Sequence, residues 1–167
     1  MSTKSRLTAR VCSVTDALAA FGDRYSLPLV REIFYGNRRF SDLVDLLGAP
    51  RTLLADRLRR LERLRVISRR RYSVRPPRDE YVLTKAGANL LPVLIALKEW
   101  GDRYGGNKKP SQRLAFGHRC GQPLVTATVC RECRKEVRFE DLVVTGDLRP
   151  VRRAAAPRSR NRMIRGR

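Results

Sequence analysis

The sequence predicts a mainly α (α+β) fold, in which a helix-turn-helix domain with a β-hairpin precedes a small cysteine-containing module and a basic tail. Three observations favour this fold. Apolar residues recur at helical spacing between glycine-containing turns, an alternating stretch follows the longest such segment, and three of the four cysteines lie together beyond a linker. Because the chain has 167 residues, we expect one ordinary domain with an appendage.

The first two predicted helices each end at a glycine. Ser13 is expected to cap a helix over residues 14–21, and Ser26 to cap a second helix that runs to about residue 35. Pro28 agrees with the second cap, because it falls in the first turn, where its missing amide hydrogen costs nothing.

The next stretch predicts the helix-turn-helix itself. A short helix over 41–47 stops at Gly48, and the chain restarts after Pro50 into a longer helix over 51–64. This longer helix contains five arginines and five leucines. At about 100° per residue its leucines fall on one side, which we expect to be buried, while the opposite side is polar and mostly cationic.

A hairpin and a last helix complete the predicted domain. Residues 66–72 pair with a stretch around Tyr81 and Leu83, and the loop over 73–80 is too long for a tight turn, so it forms a cationic wing. Thr84 caps a helix over 85–104, which Pro92 either kinks or restricts to a start near Leu91.

Composition divides the chain into five segments. They are a flexible N-terminus (1–11), a winged helix-turn-helix domain (12–104), a linker (105–111), a zinc-ribbon-like module (112–148) and a disordered basic tail (149–167). The tail contains eight arginines and no acidic residue.

The charge predicts the class of partner. The formal charge is +21, yet 42% of the residues are hydrophobic, so the chain can fold while it attracts polyanions. No run of eighteen apolar residues occurs, and the first residues lack the apolar block of a signal peptide. We therefore expect a cytoplasmic, nucleoid-associated protein with no membrane partner.

Three stretches carry a resemblance to a known family. They are CSVTDALAAFGDRYSLPLVREIFYGNRRFSDL, PRTLLADRLRRLERLRVISRRRYSVRPPRDEYVLT and KAGANLLPVLIALKEWG. In this order and at nearly this spacing they resemble the HxlR-type winged-helix transcriptional regulators of bacteria. The resemblance implies a homodimer that binds double-stranded DNA and represses or activates nearby genes, with the first and last helices of the domain in the dimer contact. It is compatible with a small-molecule effector but identifies none.

The cationic side of the 51–64 helix is the predicted reading element. The helix is about 20 Å long, enough to lie across a major groove. Arg51, Thr52 and Asp56 are assigned to base edges or nearby phosphates, and Asp56 is expected to orient an arginine. Arg57 and Arg60 lie beside the leucines and are expected to extend along them or to pair with acids.

The remaining predicted DNA contacts are with the backbone. Arg59 and Arg63 are assigned to phosphates. Arg38 and Arg39 precede a helix N-terminus, where free amides favour an anion, and form a predicted phosphate clamp. Arg75 and Arg78, at the wing tip, are assigned to phosphates or the minor groove.

Cys12 is a predicted reactive thiol. The N-terminus of the first helix and the nearby Arg10 are expected to lower the pKa of Cys12. Some members of the resembled family carry a cysteine at the matching place that senses oxidants or electrophiles, so the resemblance implies a redox or electrophile sensor. The alternative is a small buried hydrophobic side chain.

The segment HRCGQPLVTATVCREC predicts structural zinc. His118, Cys120, Cys130 and Cys133 offer four ligands suited to tetrahedral zinc, and the strand-like VTATV between the pairs would bring them together. The alternatives are unligated thiols or a C-x-x-C dithiol that cycles with a disulfide.

Two function classes therefore remain open, and a third is disfavoured. The first is a sequence-specific regulator that binds a pseudo-palindromic site as a dimer. The second is a general nucleic-acid binder that uses the zinc module and the tail. A thiol redox enzyme is disfavoured, because His118, the single histidine, is better used as a ligand than as a base.

Overall fold

A computed structural model describes residues 12–105, 115–143 and 145. The predicted flexible N-terminus, most of the predicted linker and the basic tail lie outside these residues. The helices are α1 (Ser13–Phe21), α2 (Ser26–Phe34), α3 (Phe40–Leu47), α4 (Arg51–Arg63), α5 (Lys85–Ala88) and α6 (Leu91–Tyr104). The strands are β1 (Ile67–Ser73) and β2 (Arg78–Leu83), and a 3₁₀ turn spans Phe139–Asp141.

Both predicted serine caps are wrong by one residue. Ser13 and Ser26 are the first helical residues, and Cys12 and Tyr25 occupy the cap positions. At α2 the side chain of Asp23 takes over the capping role. Its carboxylate accepts hydrogen bonds from the backbone N–H groups of Tyr25 at 3.0 Å and Ser26 at 3.1 Å, and from the Ser26 hydroxyl. These amides have no partner within the helix, so a carboxylate placed just ahead of it satisfies them.

The core lies where α2, α3 and α4 meet the start of the hairpin. Its buried side chains are Leu29, Val30 and Ile33 of α2, Leu43 of α3, Ala49 in the turn, Leu54, Leu58 and Leu61 of α4, and Val66 and Ile67. Three leucines of α4 are thus buried, as the leucine pattern predicts. The turn before α4 is possible because α3 ends at Gly48 with φ 57°, a left-handed conformation that favours glycine.

The loop at the tip of the wing is shorter than predicted, and the second strand is longer. β1 and β2 pair antiparallel from Ile67 opposite Leu83 to Ser73 opposite Arg78, so only residues 74–77 form the turn. The predicted loop over 73–80 is therefore wrong, and Arg78 is the first residue of β2. Opposite charges extend the pairing, because Arg70 and Arg71 lie directly across from Glu80 and Asp79.

Thr84 caps the helix after the hairpin, as predicted. Its hydroxyl accepts from the Gly87 backbone N–H at 3.2 Å and donates to the Arg65 carbonyl at 2.6 Å. The helix is not continuous: α5 ends at Ala88 and α6 begins at Leu91. Of the two alternatives at Pro92, the structure adopts the second, in which proline lies in a first turn.

Residues 115–143 form a small irregular segment against the helices. Isolated bridges join Gly117 to Pro123 and Val129 to Glu136, and Phe116 packs against α2. Thr126 donates a hydrogen bond to Glu99 of α6 at 2.8 Å. None of the helices in the described ranges is long and apolar enough to cross a membrane.

Candidate DNA-binding surface

α4 presents its predicted reading flank to solvent. Leu54, Leu58 and Leu61 are fully buried and fix which side of the helix faces the core. The opposite flank is exposed along its length and carries Thr52, Asp56, Arg59 and Arg63, and Arg51 is exposed at the N-terminal end of the helix. Because the buried and exposed sides are opposed, this flank is free to meet a partner.

Two other arginines of α4 hold the helix in place instead. Arg57 lies 3.2 Å from Asp23 and 3.0 Å from Asp56, which confirms the prediction that it pairs with acids. Its Nε makes an ion pair with Asp23 rather than a hydrogen bond, since its N–H finds no acceptor. Arg60 donates to the carbonyl of Ala19 near the end of α1. Asp56 binds Arg57, in agreement with its expected role of orienting an arginine.

The segment before α3 contacts the wing, and the first residue of α3 contacts α4. The backbone N–H of Tyr81 donates to the Arg38 carbonyl at 2.8 Å. The Arg39 guanidinium lies 4.9 Å from the ring centre of Tyr72 in β1, and the Arg51 guanidinium lies 4.9 Å from that of Phe40. Cation–π contacts of this length restrain an arginine while they leave its N–H groups available. Arg38 and Arg39 are both exposed.

The wing contains arginines that pair with acids and arginines that do not. Arg69, Arg70 and Arg71 each pair with an acid: Glu62 at 3.0 Å, Glu80 at 2.5 Å and Asp79 at 2.9 Å. The hydrogen bond with Asp79 raises the pKa of Arg71, and the same bond lowers the pKa of Asp79, so both groups stay ionised. Acids therefore neutralise the three arginines in the middle of β1.

The arginines predicted to contact DNA share one property. All are exposed, and none makes an ion pair with any residue in the described ranges. They are Arg38, Arg39, Arg51, Arg59, Arg63, Arg75 and Arg78. The structure thus leaves positive charge on the α4 flank, the segment before α3 and the wing tip, while acids neutralise the arginines between them.

Cys12 lies partly exposed at the N-terminus of α1. The backbone N–H groups of Thr15 and Val14 are directed towards the thiol and lower the pKa of Cys12 below its ordinary value of 9.0. The predicted direction is confirmed, and the first turn of the helix is its main cause. Arg10, the other predicted cause, lies outside the described residues.

The four predicted zinc ligands lie in two separate turns. The backbone N–H of Cys120 donates to His118 Nδ1 at 3.3 Å in the first. In the second, the backbone N–H groups of Cys133 and Glu132 and the Cys133 thiol lower the pKa of Cys130. Among the described residues, no three histidine, cysteine or acidic side chains come close enough to hold a metal together. This arrangement does not fit a four-ligand zinc site, and zinc binding stays a prediction.

Two features of this surface were not predicted. Asp23 anchors both α2 and Arg57, and its spacing three residues before Ser26 is a capping signal that could have identified it. The rings of Phe40 and Tyr72 hold Arg51 and Arg39, a relation that depends on contacts between elements and has no signal in the sequence.

Comparisons with known proteins agree with this geometry. A family model described as HxlR-like helix-turn-helix matches residues 20–109. A helix-turn-helix-type transcriptional regulator of Mycobacterium tuberculosis is 38% identical over 125 residues, which cover 75% of this chain and 79% of that protein. The family match ends at residue 109. Because the similarity to the mycobacterial protein covers 125 residues, it must extend beyond that point into the C-terminal part of the chain.

Solved structures show the same fold. PA1607, which is named as a transcription factor, has a TM-score of 0.72 at 31% identity, over 81% of this chain and 95% of its own. The redox regulator HypR in its reduced form has a TM-score of 0.50 at 26% identity, over 57% of this chain and 95% of its own.

Proposed function

The chain belongs to the HxlR-like helix-turn-helix family and is a transcriptional regulator, and on that premise we propose that it binds a pseudo-palindromic DNA site as a homodimer. One observation carries the proposal: the arginines on the outer flank of α4, before α3 and at the wing tip are exposed and without ion pairs to described residues. Such a surface suits a helix in the major groove with flanking contacts to the backbone.

The proposed contacts divide between reading and positioning. Arg51, Thr52 and Asp56 lie in the first turns of α4, the part of a recognition helix that meets base edges. Arg59 and Arg63 lie further along the helix, where we place them at phosphates. Arg75 and Arg78 would contact phosphates or the minor groove, as Arg38 and Arg39 would contact the backbone beside α3.

Exposed apolar side chains on α1 and α6 support the homodimer. Neither helix contains a fully buried residue. Val14 and Leu18 of α1 and Trp100 and Tyr104 of α6 are between 59% and 65% exposed. Large apolar side chains at this exposure are typical of a protein interface. In a homodimer, half-sites would then lie about one helical turn apart.

Cys12 supports a response to oxidants or electrophiles. Its lowered pKa increases the thiolate fraction at neutral pH, and its partial exposure gives reagents access. The similarity to a redox regulator is in agreement with this proposal. Oxidation or alkylation of Cys12 would release the DNA, and Cys12→Ser would bind DNA without this response.

Competition between DNA fragments tests the central proposal. Genomic fragments are selected on the purified full-length protein, and binding to the best fragment is measured under a large excess of random DNA. Retention of that fragment as a footprint with two symmetric halves is expected. Complete loss of binding under the competitor would instead favour the general nucleic-acid binder.

Paired substitutions test the division of contacts. Arg51→Ala should change the preferred base at one position of each half-site, at a cost of about 1–3 kcal/mol for the preferred sequence. Arg78→Ala should weaken all sequences alike and reduce the salt slope by about 0.9 for each phosphate that is no longer neutralised. Arg70→Ala combined with Glu80→Ala is the matched control, since it removes a cation together with the acid that neutralises it and keeps the net charge, and it should do neither.

Equal effects of Arg51→Ala and Arg78→Ala on every sequence would contradict this division. The same measurements on Asp56→Ala show whether Asp56 acts through Arg57, because a positioning role predicts a smaller loss than that of Arg51→Ala.

A further inference from the structure

A cavity of about 940 Å³ lies between α2, α6 and the beginning of the C-terminal segment. Leu27 and Pro28 of α2, Leu94 and Ile95 of α6, and Phe116 form much of its wall. Its volume is near the upper end of the range of about 300–1,000 Å³ that small-molecule sites occupy. None of the residues assigned to DNA contact lines it, so it is a separate feature of the molecule.

Three aromatic rings meet at one wall of the cavity. The ring centres of Phe34 and Tyr35 are 6.1 Å apart, those of Phe34 and Phe116 6.5 Å, and those of Tyr35 and Phe116 5.9 Å. Phe34 is inclined to Tyr35 by 61° and to Phe116 by 81°, the edge-to-face arrangement that aromatic pairs prefer, and Tyr35 and Phe116 are tilted by 52°. A further planar ring can join such a cluster with the same geometry.

The charged groups at the cavity neutralise one another. Arg31 lies 2.6 Å from Glu32, and Lys98 lies 2.5 Å from Asp102, so two cations and two anions are paired. An ionised ligand would lose its hydration and find every opposite charge already engaged, which is unfavourable. A neutral ligand avoids this penalty.

We propose that this cavity binds a neutral, planar aromatic molecule, held edge-to-face by Phe34, Tyr35 and Phe116. Phe116 makes the site depend on the C-terminal segment, because it supplies one of the three rings. The cavity is independent of the reading flank of α4, so its occupation can be measured without DNA.

Gly101 of α6 gives a direct way to close the cavity. It borders the cavity, and a Cβ atom added there would meet no atom within 4 Å. The first atom of a side chain therefore fits there without a clash, and we expect a leucine to extend from it into the cavity. It also replaces a glycine in a helix, where glycine is a poor helix former, so the fold should be retained.

The test uses Prodan, a neutral naphthalene dye whose emission shifts to the blue in apolar surroundings. Titration of the dye into the full-length protein should give one saturable, blue-shifted component. Gly101→Leu and Phe116→Ala should each weaken it at least about tenfold, while Ala96→Leu, an exposed position on the same helix, should not. Circular dichroism and thermal unfolding of each variant verify that the fold is kept.

Displacement of the dye tests the required charge. 2-Naphthalenemethanol should displace Prodan, whereas 2-naphthoate, which has the same rings and a carboxylate, should do so at least about tenfold more weakly. No saturable binding to the wild type, or equal binding to Gly101→Leu, would overturn the proposal. Equal displacement by the alcohol and the carboxylate would overturn the requirement for a neutral ligand.

Discussion

Asp23 is a single side chain that connects the start of α2 to the reading helix. It accepts hydrogen bonds from the first turn of α2 and makes an ion pair with Arg57 of α4. Burial opposes the ionised carboxylate, but the hydrogen bonds from Ser26 and Tyr25 and the charge of Arg57 outweigh it and lower the pKa of Asp23. This residue therefore contributes to stability as a carboxylate.

Asp23→Ala should lower the free energy of unfolding by about 1–2 kcal/mol at pH 7, the usual cost of a lost helix cap. Because the folded-state pKa lies below the ordinary value of 3.8, this contribution is present above pH 3.8 and is lost as the pH falls through the folded-state pKa. Urea unfolding of both proteins at pH 7 and near pH 2.5 checks the sign. If the free energy of unfolding differed between the wild type and Asp23→Ala by the same amount at both pH values, the predicted pH dependence would be wrong.

Cys12 provides a second prediction at the residue scale. The amides of Thr15 and Val14 lower its pKa only while α1 is formed. The rate of alkylation by iodoacetamide, followed peptide by peptide, should therefore rise at a lower pH in the folded protein than for the same cysteine in urea. Identical pH midpoints in the two states would show that the helix does not activate the thiol.

At the scale of elements, local patterns predicted most of the fold. The leucines of α4 are buried because their spacing alone selects one side of a helix, and Thr84 caps α5 because its hydroxyl satisfies a nearby backbone amide. The wing was predicted less well, since its prolines and charges resemble a loop. The pairs Arg70–Glu80 and Arg71–Asp79 extend the strands, and such contacts become apparent only when the partner strand is in place.

The junction between the hairpin and α5 depends on Gly87. A Cβ atom there would lie 2.2 Å from the carbonyl oxygen of Val66, a backbone atom that cannot give way freely, and 3.2 Å from the end of the Leu83 side chain. Gly87→Ala should lower the free energy of unfolding by roughly 1–3 kcal/mol, the usual cost of overpacking.

Gly101→Ala is the matched control for that substitution, because both glycines lie in helices and the added methyl group at Gly101 meets nothing. It should raise the free energy of unfolding by about 0.5–1 kcal/mol. Urea denaturation of the two variants measures both effects, and equal gains in both would show that helix propensity rather than packing governs Gly87.

At the scale of the whole molecule, exposed apolar side chains on α1 and α6 lead to a test of assembly. Trp100→Asp places a charge in the proposed dimer interface and should shift the molar mass from that of a dimer towards that of a monomer, as measured by light scattering. Val125→Asp is the matched control, since Val125 is also exposed but lies in the C-terminal segment. A dimer that survives Trp100→Asp would exclude this interface.

Relations between distant parts of the chain were the least predictable. Phe116 is separated from Phe34 and Tyr35 by the whole helix-turn-helix and the wing, so no local periodicity indicates that their rings meet. The four predicted zinc ligands lie in two separate turns for a similar reason. Ligand spacing describes the two pairs, but the bridges at Gly117 and Val129 close each turn on its own.

If DNA binds as proposed, the hydrogen bond from the Tyr81 N–H to the Arg38 carbonyl contributes to target choice. It joins the wing to the segment before α3, so these two proposed DNA-contact regions are held at a fixed distance from each other. A duplex bound as proposed must bring its grooves to that separation, and sequences that resist the required curvature or narrowing are penalised even at bases that no side chain touches. Part of the selectivity would thus arise from the mechanics of the DNA.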